Sequence, residues 1–203
     1  NGNYVFKYYW NFNGTSLPSG FTSANFCGYS NTGTVTVNNS LTFSAGSSSC
    51  EALYYSTSTF SPPIIFEVYA EGTNALSSGY AEAGMGIFYG TPSSNSNHWF
   101  SLMLGGNIWT YVIDSSGTET EDQMALNTFY VFGVASNGSV SMLYAYGSGV
   151  YYYTTSTSTF PSSLSILPVV VDEDAIQKVY WARIRTYPPN GVMPSFSVTP
   201  LLT

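Results

Sequence analysis

No stretch of this 203-residue chain repeats apolar residues at a sustained helical period with caps, and strand-length segments punctuated by Gly, Asn, Ser and Pro recur throughout it. A chain patterned this way has only sheets with which to bury a core, so it reads as all-β. Strands are predicted over 4–12, 20–28, 34–37, 41–44, 51–56, 64–71, 80–89, 98–104, 108–113, 129–135, 140–146, 150–154, 169–171 and 178–186. So many short strands require two packed sheets. Thr34-Val35-Thr36-Val37 alternates polar with apolar, as does Ile184 between Arg183 and Arg185, which marks strands buried on one face. Gly105-Gly106-Asn107 and Ser136-Asn137-Gly138 each stand between apolar runs as hairpin turns, so antiparallel hairpins are predicted over 98–113 and 129–146. Sandwiches of about 200 residues are commonly one domain.

Charge narrows the setting. Only 7% of the residues are charged, against about 25% in a typical soluble domain. Solubility must then come from hydroxyls, amides, attached glycans or burial in an assembly, and each of these points outside the cytoplasm. No run approaches the ~18 apolar residues of a membrane-spanning helix, so no membrane span is expected. A start at Asn1, without methionine or an apolar leader, fits a mature secreted product and an extracellular location. Net charge is −7 and the cations are Lys7, Lys178, Arg183 and Arg185 alone, too few for the phosphate contacts of a nucleic-acid partner. Cys27 and Cys50 flank a hairpin-like segment and read as one structural disulfide in an oxidising compartment.

Two segments carry a resemblance. Trp10-Asn-Phe-Asn-Gly-Thr-Ser-Leu-Pro-Ser-Gly-Phe21 with Gly33-Thr-Val-Thr-Val-Asn-Asn-Ser-Leu-Thr-Phe43 resembles the opening of concanavalin A-like (laminin G-like) jelly rolls. Val179-Tyr-Trp-Ala-Arg-Ile-Arg-Thr-Tyr-Pro-Pro189 is similar to their last core strand, with Tyr180 where a polar or acidic residue often stands. The resemblance implies a two-sheet antiparallel jelly-roll sandwich. In composition and size the chain also resembles the subunits of archaeal extracellular thread filaments, which implies a glycosylated sandwich that polymerises by donating a strand to its neighbour. Fold alone does not give function.

Catalytic and metal motifs are weak. His98 is the sole histidine and heads an apolar strand, which leaves no histidine metal cluster and no recognisable triad. Glu67 and Glu71 share a strand face with Tyr69, but four residues along a strand span about 13 Å. That exceeds the ~5 to 9.5 Å of glycosidase carboxylate pairs. Glu82 or Glu51 would have to complete such a pair; the other reading of these carboxylates is solvent-facing or hydrogen-bonded strand positions. Asp172-Glu173-Asp174 reads as a solvated acidic loop, or as oxygen ligands for Ca²⁺. No catalytic residue, metal or cofactor is expected.

Three glycosylation sequons, at Asn13, Asn38 and Asn137, lie at predicted turns where a glycan would not disturb a strand. Residues 1–9 precede the jelly-roll motif, so they are set apart as a tail from a head domain over 10–203. Tyr4, Val5, Phe6 and Tyr8 make this tail an aromatic strand, able to pair in its own sheet or to cross to a neighbouring copy. The rival donor is the C-terminal tail, with Phe196, Val198 and Leu202 in strand spacing but Pro194 and Pro200 interrupting it. A head-to-tail contact that does not close yields filaments. The expected function is therefore a non-catalytic subunit of an extracellular adhesive filament, a homopolymer. The alternatives are a lectin-like carbohydrate-binding module and, behind it, a jelly-roll glycoside hydrolase.

Overall fold

The run Ile64-Ile-Phe-Glu-Val-Tyr-Ala-Glu-Gly72 shows how the chain becomes a sandwich. Its even positions Ile64, Phe66, Val68 and Ala70 enter the main core, while Ile65, Glu67, Tyr69 and Glu71 point the other way. The computed structural model describes residues 6, 8–24, 33–44, 50–72, 82–88, 98–104, 109–113, 119–123, 125, 127–139, 141–156, 169–172 and 176–186. Among these there are fifteen strands and no helix, hence no helix long and apolar enough to cross a membrane.

The strands are β1 (Tyr8–Asn11), β2 (Phe21–Ala24), β3 (Thr34–Val37), β4 (Leu41–Ser44), β5 (Cys50–Tyr55), β6 (Ile64–Gly72), β7 (Glu82–Phe88) and β8 (His98–Leu104). They continue as β9 (Trp109–Ile113), β10 (Glu119–Gln123), β11 (Tyr130–Ser136), β12 (Ser141–Gly147), β13 (Val150–Ser156), β14 (Val169–Asp172) and β15 (Ile176–Thr186). One sheet runs β13-β12-β11-β6-β15-β4-β3, with β1 also on β15; the other runs β10-β9-β8-β7-β14-β5-β2. The chain thus has the two packed sheets expected from its strand pattern, arranged as the antiparallel jelly roll that the resemblance implies, and the hairpins over 98–113 and 129–146 form as β8–β9 and β11–β12.

Between the sheets lie Phe12, Leu41, Phe43, Phe66, Phe132, Leu53 and Met85, all fully buried. One end is closed by aromatic rings: Trp10 lies 4.8 Å from Tyr55 and 5.4 Å from Phe21, and Tyr8 meets Phe60 edge-on at 4.9 Å. Turn chemistry follows composition. The β12–β13 hairpin closes through Ser148 and Gly149, both at positive φ (50° and 82°), the twist that a two-residue hairpin needs.

Three differences from the sequence reading have physical causes. β10 is absent from the predicted strands because Glu-Thr-Glu-Asp-Gln has no apolar alternation; among the described strands it is the outermost of its sheet. Tyr8 and Tyr9, assigned above to the tail, begin β1, which pairs with Ile184 and Arg183 of its own β15 and sends Trp10 into its own core. The third is a register shift in β15 between Val179 and Trp181. Gln177 and Val179 face inward before it and Ala182 and Ile184 after it, so the extra residue turns both Tyr180 and Trp181 away from the core.

Candidate functional site

The outer face of the β1-bearing sheet is built from cross-strand rows. One row runs Tyr9 on β1, Arg183 on β15, Glu67 on β6, Gly133 on β11 and Tyr144 on β12. Neighbours in such a row are about 4.8 Å apart, so their side chains meet. Gly133 has no side chain, and the Tyr144 ring lies over it; a Cβ there would come within 2.5 Å of the Tyr144 hydroxyl oxygen and closer still to its ring carbons. The ring thereby reaches across β11 to Glu67.

The Glu67 carboxylate is 1% exposed and fully engaged. The Tyr144 hydroxyl donates to its Oε1 at 2.7 Å, and Arg185 Nη2 donates to the same oxygen at 2.9 Å. On Oε2 it accepts from Arg183 Nε at 2.6 Å and Arg185 Nε at 3.2 Å. Burial by itself raises the carboxyl pKa and is the largest single influence. The hydrogen bonds from Arg185 and Tyr144, with the two guanidinium charges, together outweigh it and hold the pKa below the ordinary 4.5. For Tyr144, burial first, then the charge and hydrogen bond of Glu67, push its pKa well above 10.0, so its hydroxyl stays a donor. Arg185 loses basicity to burial but gains more from Glu67, for a net rise.

An ionised, saturated, enclosed carboxylate has no lone pair left for proton transfer to a ligand. Nor do its suggested partners reach it: Glu82 and Glu51 sit on β7 and β5 of the opposite sheet, while Glu67 points away from that sheet. Glu71, on the same face as expected, pairs with Lys178 at 3.9 Å. The hydrogen-bonded reading of Glu67 therefore holds.

Beside this hub lies a strip of part-exposed rings. Trp181 stacks with Tyr69 at 5.5 Å and with Tyr9 at 6.2 Å. Phe129 lies 5.0 Å from Tyr69 and 4.7 Å from Tyr180. The Arg183 guanidinium lies over two rings, its carbon 4.6 Å from the centre of Trp181 and 4.8 Å from that of Phe6. At the end of the sandwich that Tyr8 and Phe60 close, a groove of about 490 Å³ opens between Phe6, Tyr8, Phe60, Ile184 and Arg185.

Sequence reasoning missed Arg183, Arg185, Tyr144 and Gly133 as a group. The signal available was a pair of arginines two apart on one strand face in a chain with four cations. Of the other predicted sites, Asn13, Asn38 and Asn137 are exposed at turns. Asn137 Oδ1 accepts from the Ser139 N–H at 2.9 Å, and Asn38 is followed by Asn39 at φ 58°. Phe6 and Tyr8 make the intramolecular contacts just given; Tyr4 and Val5, and the Cys27 half of the disulfide, lie outside the described residues. His98 opens β8, and Asp172 ends β14 with 173–175 outside the description. Among the described residues no three His, Cys, Asp or Glu side chains converge to hold a metal.

No protein-family model matches the sequence, and no curated protein matches it. Solved structures do match in fold. One, described as an endo-acting O-glycanase of prominent human gut microbiota that initiates mucin breakdown, superposes with a TM-score of 0.64 at 13% identity, covering 89% of this chain and 99% of that one. A lectin from Bauhinia forficata in complex with GalNAc gives 0.59 at 10% identity over 88% and 98% of the two chains. Winged bean acidic lectin complexed with methyl-α-D-galactose gives 0.61 at 7% identity, again over 88% and 98%. The shared feature is the fold, a two-sheet antiparallel jelly-roll sandwich.

Proposed function

We propose that this chain is a lectin-like carbohydrate-binding module that acts outside the cell and docks saccharide on the strip formed by Tyr9, Trp181, Tyr69, Phe129 and Tyr180. The observation that carries the reading is the strip itself. The outward face of an antiparallel sheet is ordinarily polar, whereas here the β15 bulge adds a second consecutive aromatic to a row of part-exposed rings. A contiguous apolar patch of this kind marks a binding surface. Pyranose rings present an apolar C–H face that stacks on aromatics, while their hydroxyls take the polar groups at the border. The fold-level likeness to galactose- and GalNAc-bound lectins supports the same reading.

The test is calorimetric titration of the protein with a panel of neutral and acidic oligosaccharides. At least one should bind, and Trp181→Ala should weaken it about tenfold, roughly 1.4 kcal/mol, with far-UV circular dichroism unchanged. Absence of any binding, or equal binding by the variant, would overturn the proposal.

The filament subunit is the second reading, and the placement of β1 is what favours it. This four-residue strand shares one edge of β15 with β4 and pairs with no other described strand. The same segment would complete a neighbour's sheet if exchanged. Electron micrographs of concentrated protein should then show filaments that vanish when residues 1–8 are removed; isolated particles from both forms would end this reading.

A further inference from the structure

We infer that the saccharide taken by this face carries a carboxylate, held end-on by the terminal nitrogens of Arg183; the inference rests on the carbohydrate-binding reading above and names its ligand class. Among the described residues the hub sets two guanidiniums against one carboxylate, a local surplus of positive charge in a chain of net charge −7. Arg185 spends its Nε and Nη2 on Glu67 in a side-on bidentate pair. Arg183 spends only Nε. The Phe6 and Trp181 rings lie 4.8 Å and 4.6 Å from its guanidinium carbon, and with Nε spent on Glu67 the edge bearing Nη1 and Nη2 remains. Among the described residues no acceptor meets those two nitrogens, and 20% of the Arg183 side chain remains exposed. The remaining edge is the fork that matches a carboxylate with two parallel N–H···O bonds.

Position adds specificity. The guanidinium is fixed against the Trp181 ring, so a carboxylate seated on it places the sugar ring that bears it beside the Trp181–Tyr69 stack. Glu67 and the two rings hold the fork in place before ligand arrives, which lowers the ordering cost of binding. A neutral saccharide would still stack on the rings but would leave the surplus charge unmatched.

The experiment uses the unaltered protein and changes the ligand: titration with oligogalacturonate, with the same oligomer methyl-esterified, and with poly-glutamate of matched charge. The acid should bind about tenfold or more tighter than the ester, the span of one charge-assisted bidentate contact. Raising salt should narrow the gap, and Arg183→Lys, which keeps the charge but not the fork, should remove most of it. Equal binding of acid and ester overturns the inference and leaves the carbohydrate reading standing. Binding of poly-glutamate as tight as the acid overturns it too, because the surface then reads charge without sugar. Failure of both oligomers together with every neutral saccharide overturns the underlying reading.

Discussion

Gly133→Ala is expected to destabilise the fold by about 3 kcal/mol or more, although it adds one methyl group. The Cβ would occupy space held by the buried Tyr144 ring, 2.5 Å from its hydroxyl oxygen and nearer its ring carbons. A tyrosine ring does not bend aside, so it must rotate off β11. Overpacking of this kind costs about 1–3 kcal/mol, and the lost hydrogen bond from Tyr144 to the Glu67 carboxylate adds about 1.5–3 kcal/mol. The melting temperature should fall by roughly 10 °C, given about 2–4 °C per kcal/mol in a chain of this length. A double-mutant cycle isolates the cause: in a Tyr144→Ala background the same glycine replacement should cost much less. An undiminished cost there would show that the clash is not with the ring.

Glu67→Gln should lower stability by about 3 kcal/mol and flatten its dependence on pH. The substitution keeps the shape but removes the one negative charge facing two guanidiniums, and breaking a buried ion pair costs about 3–5 kcal/mol. The low end applies, because both arginine side chains are 20% exposed and can turn toward water. The pH effect has a definite sign. The Glu67 pKa is lower folded than unfolded, so on acidification the unfolded chain takes up its proton first. The stabilisation is therefore present above the unfolded value of 4.5 and is lost as pH falls through the lower folded value. Between pH 7 and pH 3 the urea midpoint should fall further for the natural chain than for the variant; parallel falls would show that Glu67 is not the group responsible.

The hub clarifies how a face rich in rings stays ordered. Aromatic side chains on the solvated side of a sheet lack a second sheet to pack on. Here Tyr144, Met142 and Tyr146 pack with Ile65 and Ala135 in a small outer cluster, the ion pairs pin β15 to β6, and the Tyr144 hydrogen bond ties β12 to β6 across β11. The proposed binding surface and the stabilising hub share Arg183, so if saccharide docks as proposed, variants of Glu67 and Gly133 should affect its affinity only through the position of Arg183.

Local alternation made most strands readable, because which face of a strand is apolar depends on residues two apart in the chain. Thr34–Val37, Leu41–Ser44 and His98–Leu104 are found with the predicted bounds. The turns at Asn38 and Asn137 were readable for the same reason, since turn conformation depends on a few consecutive residues. β10 escaped because an edge strand takes its stability from a neighbour and not from an apolar face of its own. The bulge escaped because its cause is the pairing of β15 with β6. That the chain is an all-β, charge-poor sandwich follows from local order and composition alone. That Glu67, Gly133, Tyr144, Arg183 and Arg185 form one site does not. Partners as far apart as 118 residues meet there through strand order and register, which no local periodicity encodes.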